Sequence, residues 1–120
     1  MSSNYRPESG ARLVVLDRDG VINRESAEFI KSADEWLPLP GSLEAIAALS
    51  RAGFAVVVAT NQSGVGRGLI SSLALEEIHS RMVQGVEQAG GKLAGIFYCP
   101  HRPEDDCSCR KPRPGLLQQI

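Results

Sequence analysis

The sequence lacks any apolar run approaching the ~18 residues that a bilayer-spanning helix needs, and its opening MSSNYRPESG has no apolar stretch of the kind an export signal carries. Neither a membrane span nor secretion is expected, which leaves the cytoplasm as the expected compartment. An excess of one charge sign is also missing: 13 lysines and arginines face 14 aspartates and glutamates, for a net charge of -1. The basic residues do not gather in one long run, so there is no positive field for a nucleic-acid backbone and nucleic acid is not an expected partner. Cysteines are few and odd in number. All three lie between positions 99 and 109, which argues against a disulfide framework and for reduced thiols with another use. Internal repeats, low-complexity tracts and interdomain linkers do not occur. What is present is 42% hydrophobic side chains in 120 residues, enough for one domain with a real core.

Short apolar runs alternate with helical periodicity. LVVL (13–16) is too short for a helix and reads as a strand covered on both faces. SADEWLPLPGS then breaks any regular element, and Ser42 is the expected N-cap of a helix with Leu43, Ile46, Ala47 and Leu49 on one face. Gly53 ends it. FAVVVAT (54–60) is the second strand, running into the loop NQSGVGRG. From Ser72 a second helix carries Leu75, Ile78, Met82 and Val86 on one stripe, with Glu76 and Glu77 expected in its first turn; it ends at Gly90-Gly91. By this phase His79 points outward and has no assigned role. IFYC (96–99) is the third strand and GLLQQI begins another helix. Strands alternating with helices predict a parallel sheet, whose functional groups gather beyond the carboxyl ends of its strands.

Polar residues fall at those ends three times. Asp17 and Asp19 follow the first strand, where side chains two apart point the same way and two carboxylates can converge. Such a pair repels unless a divalent cation or a proton sits beside it, and it suits phosphoryl chemistry, one carboxylate attacking and the other moving a proton. Two solvated acids in a turn carry the same letters. Thr60, at the end of the second strand, offers a hydroxyl, and Lys111, after the third, a point charge for phosphoryl oxygens. Taken singly, these two also read as a turn residue and a surface lysine. In CPHRPEDDCSCRKPRPG, Cys99, His101, Cys107 and Cys109 form a C-x-H and a C-x-C pair, a Cys3His set suited to a closed, structural zinc site that would hold nearby Lys111 in place. The usual finger spacings are absent, so unrelated thiols and a surface imidazole remain the other reading.

In this order and at these strand ends, Asp17, Asp19, Thr60 and Lys111 resemble the first three motifs of the haloacid dehalogenase superfamily of phosphatases. A cysteine loop before RKP, the DRDG first motif and TNQSG as the second narrow the resemblance to the histidinol-phosphatase-related branch. KSADEWLPLPGS, NQSGVGRG and RKPRPGLL are similar to the heptose-bisphosphate phosphatases of that branch, and the likeness runs from Arg12 to the end.

The resemblance implies an α/β fold: a three-layer, Rossmann-like parallel sheet without a large cap domain. Residues 1–11 are then an N-terminal arm and 12–120 the phosphatase core, with the zinc loop at 99–109. It implies that Asp17 is the nucleophile and forms an aspartyl phosphate, that Asp19 is the acid and base, and that Thr60, Asn61 and Lys111 hold the phosphoryl group. Magnesium is implied at the Asp17 carboxylate and the backbone carbonyl of Asp19. Arg67 and Arg110 are assigned to the remote parts of the substrate, including a second phosphate, because guanidinium binds phosphate bidentately; solvated surface charge is the other reading of both.

The implied reaction removes the 7-phosphate of a heptose 1,7-bisphosphate in nucleotide-heptose synthesis for lipopolysaccharide core. A histidinol-phosphate phosphatase is the alternative enzyme, although its second motif usually has an acid where this sequence has Ser63. A zinc-stabilised phosphosugar-binding module without catalysis is the alternative outside enzymes. The family's fourth motif, an acidic cluster after a fourth strand, has no counterpart here. The core is therefore expected to be truncated before that strand, with strand one left at an apolar edge, and a monomer is expected for the complete enzyme.

Overall fold

A computed structural model describes residues 12–120; the expected N-terminal arm, 1–11, lies outside the described residues. Three strands, β1 (Arg12–Leu16), β2 (Phe54–Asn61) and β3 (Gly95–Cys99), form one parallel sheet in the order β1-β2-β3. Val14 lies opposite Val56, Leu16 opposite Val58, and Val58 opposite Ile96. Paired residues of parallel strands face the same side, so these side chains make one face of the sheet. Against that face pack α1 (Ser42–Arg51) and α3 (Ser72–Gln88), through Ile46, Ile78, Met82 and Val86. Ile22, Ile30 and Trp36, from the long connection after β1, complete this core. Each aliphatic side chain so buried contributes about 1.5 to 3 kcal/mol, which makes this face the main stabiliser of the sheet.

The second face is more thinly covered. Val57, Ala59, Phe97 and Cys99 pack there against Cys109 and against Leu116 of α4 (Gly115–Gln119). Strand β1 departs from the expected burial on both faces: Leu13 is 47% exposed and Val15 is exposed beside it. The cause is topological. Both long helices lie on the opposite face, and α4 sits against β3, at the far side of the sheet from β1.

Several boundaries shift for local reasons. Ser42 is the first helical residue of α1 and not its cap, a position taken by Gly41 at φ 81°; the Ser42 hydroxyl donates instead to the Ile22 carbonyl at 2.7 Å, tying the helix start to the connection after β1. Helix α3 is capped by Ser71, whose Oγ accepts from the Ala74 amide at 3.0 Å, and Glu76 and Glu77 therefore lie beyond its first turn. The loop NQSGVGRG contains a single helical turn, α2 (Ser63–Gly66). Its Gly66 amide donates to the Pro100 carbonyl at 2.8 Å, and a Cβ on Gly66 would come within 2.6 Å of that oxygen. Only glycine allows the approach that joins the second strand-end loop to the third.

Candidate active site

Asp17 leaves the end of β1 with its Oδ1 accepting from the Arg18 amide at 2.7 Å and its Oδ2 paired with Lys111 Nζ at 3.1 Å. The lysine also donates to the Ala59 carbonyl on β2 at 2.8 Å, so it is aimed by the sheet as well as by its own loop. Thr60 is buried at the end of β2, its Oγ1 accepting from Gln62 Nε2 at 3.0 Å. Asn61 engages Lys111 through the backbone: its Oδ1 accepts from the Lys111 amide at 2.9 Å and its Nδ2 donates to the Lys111 carbonyl at 3.2 Å. The side chain expected to bind a phosphoryl group is thus committed in both directions to holding the lysine.

Asp19 turns inward. Its Oδ1 accepts from Arg18 Nε (2.9 Å), Arg18 Nη2 (2.7 Å) and Asn23 Nδ2 (3.0 Å), and its Oδ2 from Gln62 Nε2 (3.0 Å). Arg18 is 0% exposed; burial lowers its pKa and the adjacent Asp19 opposes that shift. Its remaining nitrogen, Nη1, lies 3.2 Å from Nε2 of His79.

His79 is not on the outer side of α3 but 5% exposed, in the buried stripe Leu75, Ile78, His79, Met82, Val86. Burial first, and then the charge of Arg18, pushes its pKa down to about 3, with Asp19 pulling the other way. The ring is accordingly neutral at ordinary pH and can accept from the guanidinium. Arg18, Asn23, Gln62 and His79 were not expected at the site. The spacing of His79, four residues past Leu75 and three before Met82, was the available signal.

A cleft of about 200 Å³ opens beside this network, lined by Asp19, Glu25, Ser26, Phe29, Ile30, Asn61, Gln62, Ser63 and Arg110. Arg110 also borders a neighbouring hollow of about 220 Å³ with Lys111 and Arg113, and its buried Nη1 has no hydrogen-bond partner. A buried guanidinium nitrogen without a partner suits an incoming anionic oxygen. Arg67 is not among the residues lining either space; it pairs with Glu104 at 3.7 Å.

The ligand atoms of Cys99, His101, Cys107 and Cys109 all lie within 4.8 Å of one another. Cys107 and Cys109 are 3.8 Å apart, and His101 Nδ1 is 3.5 Å from Cys99 Sγ and 3.4 Å from Cys109 Sγ. Tetrahedral zinc with sulfur at ~2.3 Å separates its sulfurs by ~3.8 Å. The 2.7 Å between Cys99 and Cys109 would have to widen by about 1 Å to match. Burial, together with the Cys109 hydrogen bond, pushes the Cys99 thiol up to about 12. At Cys107 desolvation acts in the same direction but is outweighed, first by the hydrogen bond with Cys99, and its pKa falls to about 6. Three thiols and an imidazole converging here, one thiol already acidic, fit a soft divalent ion.

The fit to magnesium is of another kind. The Asp17 carboxylate is exposed and each of its oxygens carries one donor, which leaves lone pairs for a hard cation, whereas the less exposed Asp19 carboxylate carries four donors, which favours its backbone carbonyl as the group that could serve.

A family model described as polynucleotide kinase 3 phosphatase matches residues 12–120. The D-glycero-beta-D-manno-heptose-1,7-bisphosphate 7-phosphatase of Pseudomonas aeruginosa is 56% identical over 108 residues, covering 90% of this chain and 61% of that protein. A crystal structure of the D,D-heptose 1,7-bisphosphate phosphatase from B. bronchiseptica, complexed with magnesium and phosphate, gives a TM-score of 0.89 at 53% identity, over 91% of this chain and 61% of that one. A HAD-like phosphatase structure from Mesorhizobium loti gives 0.82 at 32% identity, over 99% of this chain and 59% of that one. The chain therefore spans about 60% of the length of the relatives it matches first. With the aspartate pair, the lysine and the cysteine loop in these positions, the chain belongs to the polynucleotide kinase 3 phosphatase family and shares the fold of haloacid dehalogenase-type phosphatases.

Proposed function

We propose that the enzyme is a cytoplasmic, magnesium-dependent phosphatase that removes the 7-phosphate of D-glycero-D-manno-heptose 1,7-bisphosphate, in nucleotide-heptose synthesis for lipopolysaccharide core. The observation that carries this reading is the Asp17–Lys111 pair at 3.1 Å, with Thr60 at the adjoining strand end, in a chain so close to phosphatases named for that substrate.

In the first step an Asp17 carboxylate oxygen attacks phosphorus; the new O–P bond forms as the ester P–O bond breaks, and Asp19 gives its proton to the departing sugar oxygen. In the second, Asp19 takes a proton from water as the water oxygen attacks the aspartyl phosphate, releasing inorganic phosphate and freeing Asp17. Lys111 and the Thr60 hydroxyl hold the transferring group, and Arg110 supplies a guanidinium nitrogen to the substrate. Asn61 acts through Lys111. Magnesium, when bound at Asp17 and the Asp19 carbonyl, offsets the repulsion between nucleophile and phosphate. Zinc on Cys99, His101, Cys107 and Cys109 would cross-link the loop that carries Lys111 and take no part in the reaction.

The test is substrate choice in the full-length enzyme with magnesium. Heptose 1,7-bisphosphate should be hydrolysed with a higher kcat/KM than histidinol phosphate, and phosphorus NMR should show loss of the 7-phosphate with the 1-phosphate retained. A preference for histidinol phosphate would transfer the assignment to that reaction. Release of phosphate from neither compound would end the reading.

A further inference from the structure

Asp19 is held unevenly. Three of its four hydrogen bonds end on Oδ1 and one on Oδ2, so Oδ2 keeps a lone pair for a proton while Oδ1 is locked. Two of the three bonds to Oδ1 come from Arg18, the neighbouring residue in the chain, and the third from Asn23; Arg18 is itself fully buried. A buried guanidinium has five N–H donors to satisfy, and the way they are satisfied sets its orientation. Nε and Nη2 go to Asp19, Nη2 also reaches Gln62 Oε1 at 3.3 Å, and Nη1 meets His79 Nε2 at 3.2 Å. His79 is 61 residues away in sequence, on a helix fixed to the sheet by Ile78, Met82 and Val86.

We propose that His79 is a positioning residue for Asp19: by accepting from Nη1 it fixes the Arg18 guanidinium that locks Asp19 Oδ1, leaving Oδ2 as the oxygen that exchanges the proton. The proposal rests on the acid and base role read above for Asp19. Its imidazole touches neither substrate nor reacting atoms. Removing the acceptor strands a buried donor, and the guanidinium must then turn to find another partner. Asp19 loses its aim while Asp17, Lys111 and the fold remain.

The experiment uses leaving groups that differ in their need for a proton, in the full-length enzyme with magnesium. A sugar alkoxide needs protonation to depart; the p-nitrophenolate of p-nitrophenyl phosphate does not. Because kcat/KM reports steps through departure of the leaving group, His79→Leu should lower it about tenfold or more for the sugar bisphosphate and less than about twofold for p-nitrophenyl phosphate. His79→Gln, which restores an oxygen acceptor at similar reach, should recover most of the loss. An equal loss on both substrates, no loss on either, or no recovery with glutamine overturns the proposal.

Should the leucine variant fail to fold, nitrogen-15 NMR of the wild-type ring decides: Nε2 must be the unprotonated nitrogen at neutral pH, and a protonated Nε2 overturns the proposal. Asp19→Asn, assayed alongside, separates the two levels of the argument. If it shows the leaving-group split and His79→Leu does not, the role of His79 alone falls. If it shows no split, the reading of Asp19 fails and the proposal goes with it.

Discussion

The two regions that converge on Asp17 are held in different ways. On the β1 side, Asp19 is fixed by protein groups alone: Arg18, Asn23 and Gln62 surround it, and His79 braces the arginine from a helix packed into the main core. On the β3 side, Lys111 belongs to a segment with little regular structure, tied down by Asn61, by the Ala59 carbonyl and by a knot of three cysteines and a histidine. The first region draws its rigidity from a buried network that is stable only while every member is satisfied. The second has little apolar surface to bury and substitutes ligand convergence for packing. One side of the site therefore holds Asp19 by packing, and the other holds Lys111 by loop contacts beside a convergent cysteine-histidine cluster.

The most severe way to break the comparison is at the point where both regions meet. Asp17→Asn keeps the shape and removes the attacking charge; phosphate release in the full-length enzyme should fall by about a thousandfold or more, with the melting temperature little changed. Near-native turnover would rule out the covalent route.

Breaking the β3 side alone should be less drastic. Cys107→Ser should reduce zinc from about one per chain towards none by elemental analysis, and lower kcat/KM by about 10- to 100-fold as Lys111 loses its support. Stability should fall in parallel, and added magnesium should restore neither. Zinc-free wild-type protein, purified without chelator, would show that the loop needs no metal.

The β1 side should betray itself through pH. The pKa of His79 is near 3 in the fold against 6.5 for a free imidazole, so the unfolded chain binds the extra proton first. Its contribution to stability is then complete above about pH 6.5 and is lost as pH falls towards 3. By pH 5 this amounts to about 2 kcal/mol, readable in denaturant melts, and His79→Gln should remove that part of the slope. A variant with unchanged pH dependence would place the acid sensitivity elsewhere, in the cysteine knot first of all.

The smallest effect sharpens the boundary of the site. Arg67, paired with Glu104 and set apart from both hollows, should change kcat/KM by less than about twofold on replacement by alanine. Arg110, with a buried nitrogen free, should cost about tenfold or more. Equal effects would mean that Arg67 swings into the cleft when substrate binds.

Much of the fold was legible in the sequence because its signals are local. An apolar run of four or five residues followed by polar ones identifies a strand and its end, and the stripe of Leu75, Ile78, Met82 and Val86 identifies a helix with its buried side. Where those cues were followed too closely, they misled. Ser42 has the composition of a cap but spends its hydroxyl on Ile22, and the apolar letters of β1 suggested two covered faces where one is open. The helical phase of the apolar stripe puts His79 on the outer side, whereas it is buried. Its spacing from Leu75 and Met82 was the signal to the contrary.

The sequence by itself determined which chemistry-bearing residues stand at strand ends: Asp17 and Asp19, Thr60, Lys111 and the four metal-ligand types, because alternation and spacing depend only on neighbours along the chain. The tertiary structure alone decided how they are used. It turned Asp19 inward, joined Asn61 to the Lys111 backbone, paired Arg67 with Glu104, and set His79 against Arg18. These outcomes follow from long-range packing: a buried polar group must take whatever partner the fold brings within about 3 Å, and no local pattern carries that information.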